Sequence, residues 1–395
     1  MPFATRDGCR LYWKADGDPG KPPLVLLNSI GTDIGLWDRM LPYLLPSFRL
    51  LRMDARGHGA SDSPPGDYTM EQLAADVLAV MDAARIDRAA LAGVSLGGMV
   101  AMTMALQVPD RIDALALICT SAEMDRSLWA ERIETVRAKG TAEIADVVIS
   151  RFFSPAFADR HPELVHGIRD GFRAMADDGY AGAGAAIRDM AIVERLGQIR
   201  QPVLVVAGRD DISTSFENHG RRISEAIAGS SVAHIAGAHL LPVEAPGALA
   251  AELGAFLLGP DVTDAKRQLY ISGLERRRAV LGDAWVDRSI EGRTPFTSDF
   301  QEMITRIAWQ EVWTRAGLEE RVRRLLVVAI TASLSHWEEF GLHVRAGLEQ
   351  GGFTADELKE LLLQTAIYAG LPAANTAFAK ASDILKDFEA SQATP

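Results

Sequence analysis

One octapeptide constrains this chain more than any other stretch: Leu91-Ala92-Gly93-Val94-Ser95-Leu96-Gly97-Gly98. A short apolar run, Ala89 to Ala92, leads into Gly-x-Ser-x-Gly, and the helix-compatible run Met99 to Gln107 follows. Strand, sharp turn and helix in that order lift a serine hydroxyl clear of a sheet, where it can act as a nucleophile. Such a turn is strained and its neighbours approach too closely for side chains, which explains glycine at 93 and 97.

The surrounding chain supplies the sheet. Cys9 to Lys14 alternates as an early strand does, Pro23 to Asn28 and Ala114 to Thr120 are apolar runs typical of strands buried on both faces, and Arg49 to Asp54 and Pro202 to Gly208 read as further strands. Val232 leads to a further strand, then to a loop histidine, His239, and a helix from Pro246 to Leu258. Thr69-Met-Glu-Gln72 reads as a capping box before the helical pattern Leu73, Val77, Leu78, Val80 and Met81. Strands alternating with helices predict an α/β fold with a doubly wound, mainly parallel sheet. From about residue 123 to 196 the strand pattern stops, and the segment reads as a helical cap over the carboxyl edge of the sheet, where such sheets bind ligands. Trp129, Arg126, Arg132 and Phe152-Phe153 are its candidate pocket residues.

The length of 395 residues suits two domains, and a net charge of -12 argues against nucleic acid and anionic membrane as partners. Only Cys9 and Cys119 occur, with no Cys-x-x-Cys, so a reducing cytoplasm is expected rather than a disulfide framework. No signal core and no apolar window of about 18 residues is present, so no membrane span is expected.

Beyond Gly208 comes Arg209-Asp210-Asp211, and His239 closes the set. The order Ser95, Asp211, His239, together with the elbow and Asp54-Ala-Arg-Gly-His58-Gly, resembles the alpha/beta-hydrolase family. The resemblance implies Asp211 rather than Asp210 as the triad acid, a structural His58 and a structural His234. It also implies an oxyanion hole from the backbone N–H groups of Ile30 and Leu96. Across residues 1–259, notably Leu27-Asn28-Ser29-Ile30-Gly31-Thr32, the chain is similar to 3-oxoadipate enol-lactonase. A serine nucleophile fits lactone hydrolysis, since dehalogenases and epoxide hydrolases of that fold carry Asp there.

After Gly259-Pro260 the pattern is helical throughout. Ser298 is a candidate cap for a helix from Asp299 to Thr314; Leu318 to Leu334 and Trp337 to Glu349 follow, and Thr354-Ala-Asp-Glu357 opens a helix that Gly370-Leu-Pro372 stops. Arg276-Arg-Arg-Ala-Val-Leu-Gly-Asp283, Asp299 to Trp313, Glu338 to Ala346 and Tyr368 to Asn375 resemble 4-carboxymuconolactone decarboxylase, so residues 265–395 are expected to be a small all-α decarboxylase domain. The joint resemblance implies a bifunctional enzyme of the beta-ketoadipate pathway. It would decarboxylate 4-carboxymuconolactone and hydrolyse the resulting enol-lactone to 3-oxoadipate, with small lactone dicarboxylates as substrates, no cofactor, no metal and a homo-oligomer formed through the second domain.

Losing the ring carboxylate leaves electrons that delocalise through the ring double bond into the lactone carbonyl, so the chemistry needs a proton donor and cations. His343 with Glu339 at i, i+4 supplies a candidate acid and its modulator. Arg345, with Arg276, Arg277, Arg278 and Arg288, supplies candidate carboxylate partners. Two alternatives remain open at this level. His336, Glu339 and His343 share a helical spacing that could ligate metal, and the second domain could be a non-catalytic oligomerisation module on a serine esterase.

Overall fold

The computed structural model describes residues 2–259, 262–350 and 352–392. Two compact units emerge, Met1–Asp261 and Val262–Pro395.

The first unit is built on eight strands: β1 (Phe3–Arg6), β2 (Cys9–Asp16), β3 (Pro23–Leu27), β4 (Arg49–Met53), β5 (Ala89–Val94), β6 (Ile112–Ile118), β7 (Val203–Gly208) and β8 (Ser231–Ile235). Their order is β1-β2-β4-β3-β5-β6-β7-β8. β1 and β2 pair antiparallel, as do β2 and β4, and every pairing from β4 onward is parallel. All six residues of β5 and of β7 are buried, because helices cover both faces; that is why these strands read as apolar runs rather than alternations. β1 has no counterpart in the sequence reading. It is created by the Asp7-Gly8 turn, whose positive φ values of 49° and 76° match the twist of a tight hairpin.

Helix α1 (Met70–Ala83) starts at Thr69, whose hydroxyl accepts from the Gln72 N–H; the reciprocal bond is not made, so only half of the expected capping box forms. Helix α2 (Leu96–Gln107) leaves the elbow and is buried along nearly its whole length. Between β6 and β7 lie the cap helices α3 (Arg126–Lys139), α4 (Pro162–Ala174) and α5 (Asp177–Asp189), with shorter turns between α3 and α4. The Gly- and Ala-rich α5 is held by close approach. A Cβ at Gly179 would lie 2.1 Å from the Gly57 carbonyl oxygen, and one at Gly184 would touch Ile133 and Trp129 of α3. Helix α6 (Pro246–Leu258) ends the unit.

The second unit is helical: α7 (Val262–Leu281), α8 (Asp283–Glu291), α9 (Pro295–Ile304), a π-helical segment Thr305–Val312, α10 (Glu320–Ser333), α11 (Trp337–Glu349), α12 (Ala355–Ala369) and α13 (Leu371–Gln392). Val328, Phe340, Val344, Leu358, Leu362 and Ala377 form its core. The Thr354–Glu357 capping box is complete. Ser298 does not cap a helix; Thr294 does, in a reciprocal box with Thr297, and the helix therefore begins at Pro295. Gly370, at φ 95°, ends α12, but α13 begins at once, so Gly370-Leu-Pro372 is a corner rather than a stop. Among the described residues no helix is long and apolar enough to cross a membrane.

Candidate active sites

Ser95 stands at the end of β5 with φ 53° and ψ -113°, a conformation non-glycine residues rarely adopt. The strain is locked by neighbours. The Ser95 N–H donates to the Ile118 carbonyl at 2.9 Å, and the Thr120 hydroxyl donates to the Ser95 carbonyl at 2.6 Å. A Cβ on Gly93 would lie 2.3 Å from the Gly97 carbonyl, and one on Gly97 2.3 Å from the Leu27 carbonyl oxygen. Both glycines are therefore required by backbone contact.

Asp211 and His239 converge on the loops after β7 and β8. His239 Nδ1 lies 3.2 and 3.1 Å from the two Asp211 carboxylate oxygens, and both residues are buried. Asp211 also accepts from the Ser213 N–H at 2.8 Å and the Thr214 hydroxyl at 2.8 Å. Burial alone pushes the Asp211 carboxyl upward, but the His239 charge and these hydrogen bonds outweigh it and hold the group far below the usual carboxylate range. The cap contributes as well. The Phe152 carbonyl accepts from the His239 N–H at 3.1 Å, and its ring stacks on the imidazole at 5.7 Å. Ser95 and His239 line one cavity of about 300 Å³ without a hydrogen bond between them. Asp210 and His234 are exposed.

The loop after β3 is pinned at several points. The Asn28 amide donates to the Met53 carbonyl and accepts from the Trp37 indole, and the Gly31 N–H donates to His58 Nε2 at 3.0 Å. The Ile30 N–H makes no such bond, and the Leu96 N–H, first in its helix, has no intrahelical acceptor. His58 is buried, which lowers its pKa and keeps it neutral, and its Nδ1 lies 3.1 Å from the Arg56 carbonyl. Both ring nitrogens are thus spent on the backbone. A cleft of about 510 Å³ beside it, lined by Gly31, Asp33, Phe172 and Met175, carries no serine or cysteine.

Of the expected pocket residues, Trp129, Arg132 and Phe152 line the Ser95 cavity. Phe153 packs on Phe157 within the cap instead. Arg126 is displaced too: it is exposed and pairs with Asp189 at 2.8 Å.

In the second unit, half-buried His343 is stacked against Trp309 at 6.5 Å and Trp313 at 6.3 Å. Burial foremost, then the Arg324 charge, lowers its pKa to about 4, while Glu339 acts in the opposite direction. Glu339 is exposed and makes no hydrogen bond to the ring, so its influence is through space alone. Arg345 is exposed and pairs with Asp387 at 3.3 Å, away from His343. Arg276 pairs with Glu320, and Arg278 with Asp283 and Asp287. Arg277 is buried over the Trp285 ring and bonded to the neutral Gln301 and Ser289. His336 precedes α11 at ψ 77°, outside the helix, and it does not converge with Glu339 and His343. Among the described residues the group with metal-ligand spacing is Cys119, Asp211 and His239, two of which are already bonded to each other.

Residues 22–246 match the family model for the alpha/beta hydrolase fold, and residues 298–383 match the carboxymuconolactone decarboxylase family. The chain is 31% identical over 245 residues to 3-oxoadipate enol-lactonase 2 of Acinetobacter baylyi, covering 62% of this chain and 91% of that protein. It is 46% identical over 120 residues to 4-carboxymuconolactone decarboxylase of the same organism, covering 30% of this chain and 89% of that one. This chain belongs to the alpha/beta hydrolase family, fused to a carboxymuconolactone decarboxylase family member. The enol-lactonase of Burkholderia xenovorans LB400 superposes with a TM-score of 0.64 at 35% identity, covering 65% of this chain and 100% of that one.

Two residues of the hydrolase unit escaped the sequence reading. Tyr180 lines the Ser95 cavity from α5, and its only signal is that it is the lone aromatic in a run of Gly and Ala. His219 also lines it, with Nδ1 2.8 Å from the Ser121 hydroxyl. Ser121 donates to the Glu123 carbonyl at 2.5 Å, so His219 Nδ1 is the donor of that pair.

Proposed function

We propose that the chain is a bifunctional enzyme that decarboxylates 4-carboxymuconolactone in its second unit and hydrolyses the enol-lactone product in its first. The observation that carries the reading is a buried Asp211–His239 pair and a strained Ser95 around one cavity, in a chain similar to 91% of one Acinetobacter enzyme and 89% of the other.

In the hydrolase unit, His239 Nε2 takes the Ser95 proton as Oγ attacks the lactone carbonyl. Asp211 fixes the tautomer that leaves Nε2 free and stabilises the imidazolium. The Ile30 and Leu96 N–H groups receive the tetrahedral oxyanion, a contribution of about 3 kcal/mol per donor. Collapse breaks the ring C–O bond and His239 protonates the departing enol oxygen. Water, activated by the same histidine, then releases the acid, and the enol ketonises to the 3-oxo product.

In the decarboxylase unit, electrons from the departing carboxylate flow into the lactone carbonyl, and the α carbon must then be protonated. With a pKa near 4, His343 is neutral before substrate arrives. The two negative charges of the substrate raise its proton affinity and load the ring with the proton it delivers. Glu339 supports that form at a distance. Arg345 is withdrawn from the substrate-binding set because Asp387 already holds it.

The unit's exposed apolar stripe Phe296, Phe300, Met303 and Ile307 supports a homo-oligomer through this part of the chain. The unpaired Cys9 and Cys119 support a cytoplasmic setting. Incubating the purified chain with 4-carboxymuconolactone tests the reading: one equivalent of carbon dioxide and one of 3-oxoadipate are expected. Absence of carbon dioxide, with hydrolysis of added enol-lactone intact, would leave a serine lactonase carrying a non-catalytic helical module.

A further inference from the structure

Three successive backbone N–H groups around the catalytic histidine end on the cap or on a carboxylate that grips it. The His239 and Leu240 N–H groups both donate to the Phe152 carbonyl, at 3.1 and 3.0 Å. The Ala238 N–H donates to Glu244 Oε2 at 3.0 Å. That same oxygen accepts from the Ser154 N–H at 3.2 Å, and Glu244 Oε1 accepts from the Ser154 hydroxyl. One half-buried carboxylate thus bridges the cap, two residues after Phe152, and the histidine loop, one residue before His239.

The bridge is anchored at both ends. On the loop side Glu244 closes the short helix Leu241–Glu244, its own N–H donating to the Leu240 carbonyl at 3.0 Å. Gly237, at φ 134°, makes room for it, since a Cβ there would lie 3.2 Å from the Glu244 carboxyl carbon. On the cap side Ser154 also caps the helix Pro155–Arg160, its hydroxyl accepting from the Phe157 N–H at 3.3 Å. Hydrogen bonds to a charged acceptor are the stronger kind, and three of them fix the orientation of the carboxylate. Asp211 holds the imidazole at one ring nitrogen, whereas the backbone that carries the ring is held by these bonds to the cap.

We infer that Glu244 is a positioning residue that transmits the seat of the cap to His239. With Ser154 and Phe152 in place the imidazole stands where it can take the Ser95 proton; with the bridge cut, the triad loses its alignment while the cavity keeps its lining. The inference rests on the hydrolase reading for the roles of Ser95 and His239, and on the hydrogen bonds alone for the bridge. Neither Glu244 nor Ser154 lines the Ser95 cavity, so their loss acts on the rate of acyl transfer rather than on binding. Misplacing a reacting group by about 1 Å costs about 10²-fold in rate.

The test uses the full chain with the enol-lactone and with 4-nitrophenyl acetate. Rates are expressed per Ser95 titrated by diethyl 4-nitrophenyl phosphate at long exposure, so that any unfolded fraction drops out. Glu244→Met should lower kcat by about 10- to 100-fold on both substrates with KM within about twofold of wild type, and should slow phosphorylation of Ser95 by the same factor. Glu244→Gln should recover most of kcat, because its carbonyl can accept both N–H bonds at the Oε2 position while its NH₂ donates to a reversed Ser154 hydroxyl. Ser154→Ala, whose lost hydroxyl bonds Glu244 and the Phe157 N–H, should show the same split to a smaller degree. Wild-type kcat in Glu244→Met, with only the Tm lowered, would show a purely structural carboxylate and overturn the inference. Equal losses in the Gln and Met variants would overturn it by making charge, not the bridge, the cause; wild-type kcat in Ser154→Ala would do so by taking the cap out of it. The same split on 4-nitrophenyl acetate in a chain that does not turn over the enol-lactone would fail the lactonase assignment and uphold the coupling.

Discussion

Replacing Asp211 by asparagine removes one charge and reverses one hydrogen bond while preserving shape. The carboxylate lies 3.1 Å from His239 Nδ1, the ring that becomes cationic as Ser95 loses its proton. At an effective dielectric constant of about 20, a charge pair at that 3.1 Å separation is worth about 5 kcal/mol, or about four orders of magnitude in rate. The geometry adds a tautomer penalty. The Ser213 and Thr214 N–H groups both donate to Asp211 Oδ1, whereas the Thr214 hydroxyl, which can reverse, donates to Oδ2; an asparagine there keeps its carbonyl at the Oδ1 position and puts its NH₂ at the Oδ2 position beside Nδ1. Nδ1 must then accept, Nε2 carries the proton, and Ser95 loses its base. Initial rates of enol-lactone hydrolysis should fall by about 10⁴ in kcat for Asp211→Asn and remain unchanged for the exposed Asp210→Asn, with decarboxylation unaffected in both. A loss below about tenfold in Asp211→Asn would refute the assignment of Asp211 as the group that orients and stabilises His239.

The second unit should weaken in mild acid. His343 titrates near 4 when folded and near 6.5 when unfolded, so between those values the unfolded chain binds a proton the native ring refuses; stability present above 6.5 is lost as pH falls, by up to about 3 kcal/mol, and urea titrations of wild type against His343→Leu should differ in that slope. His343→Ala should lower decarboxylation by about 10²-fold or more while leaving enol-lactone hydrolysis intact, measured as carbon dioxide release; full activity in that variant would remove His343 from proton delivery.

What could be read ahead of the structure follows from how locally each feature is encoded. The central strands were legible because burial on both faces leaves a continuous apolar run, and the elbow because backbone contacts at Gly93 and Gly97 exclude every other residue. β1 was not, since four residues at a sheet edge carry little pattern and the Asp7-Gly8 turn creates them. Side-chain direction was the weaker inference. Asp125, Leu128, Trp129 and Arg132 line the cavity at i, i+3, i+4 and i+7, so Arg126, one residue out of phase, turns to Asp189. By the same rule Arg345, two residues after His343, faces elsewhere, toward Asp387. The spacing His336, Glu339, His343 failed as a metal face because His336 lies before the helix that would have aligned it. Tyr180 was invisible because a lone aromatic in a run of Gly and Ala does not show which cavity it lines, a property of packing rather than pattern.

The most direct measurement of the central claim is product analysis of Ser95→Ala with 4-carboxymuconolactone as the sole substrate. Two independent chemistries in one chain predict that carbon dioxide is released at the wild-type rate and that the enol-lactone accumulates, with 3-oxoadipate forming only at the uncatalysed rate. Formation of 3-oxoadipate at the wild-type rate in that variant, or loss of carbon dioxide release along with hydrolysis, would contradict it.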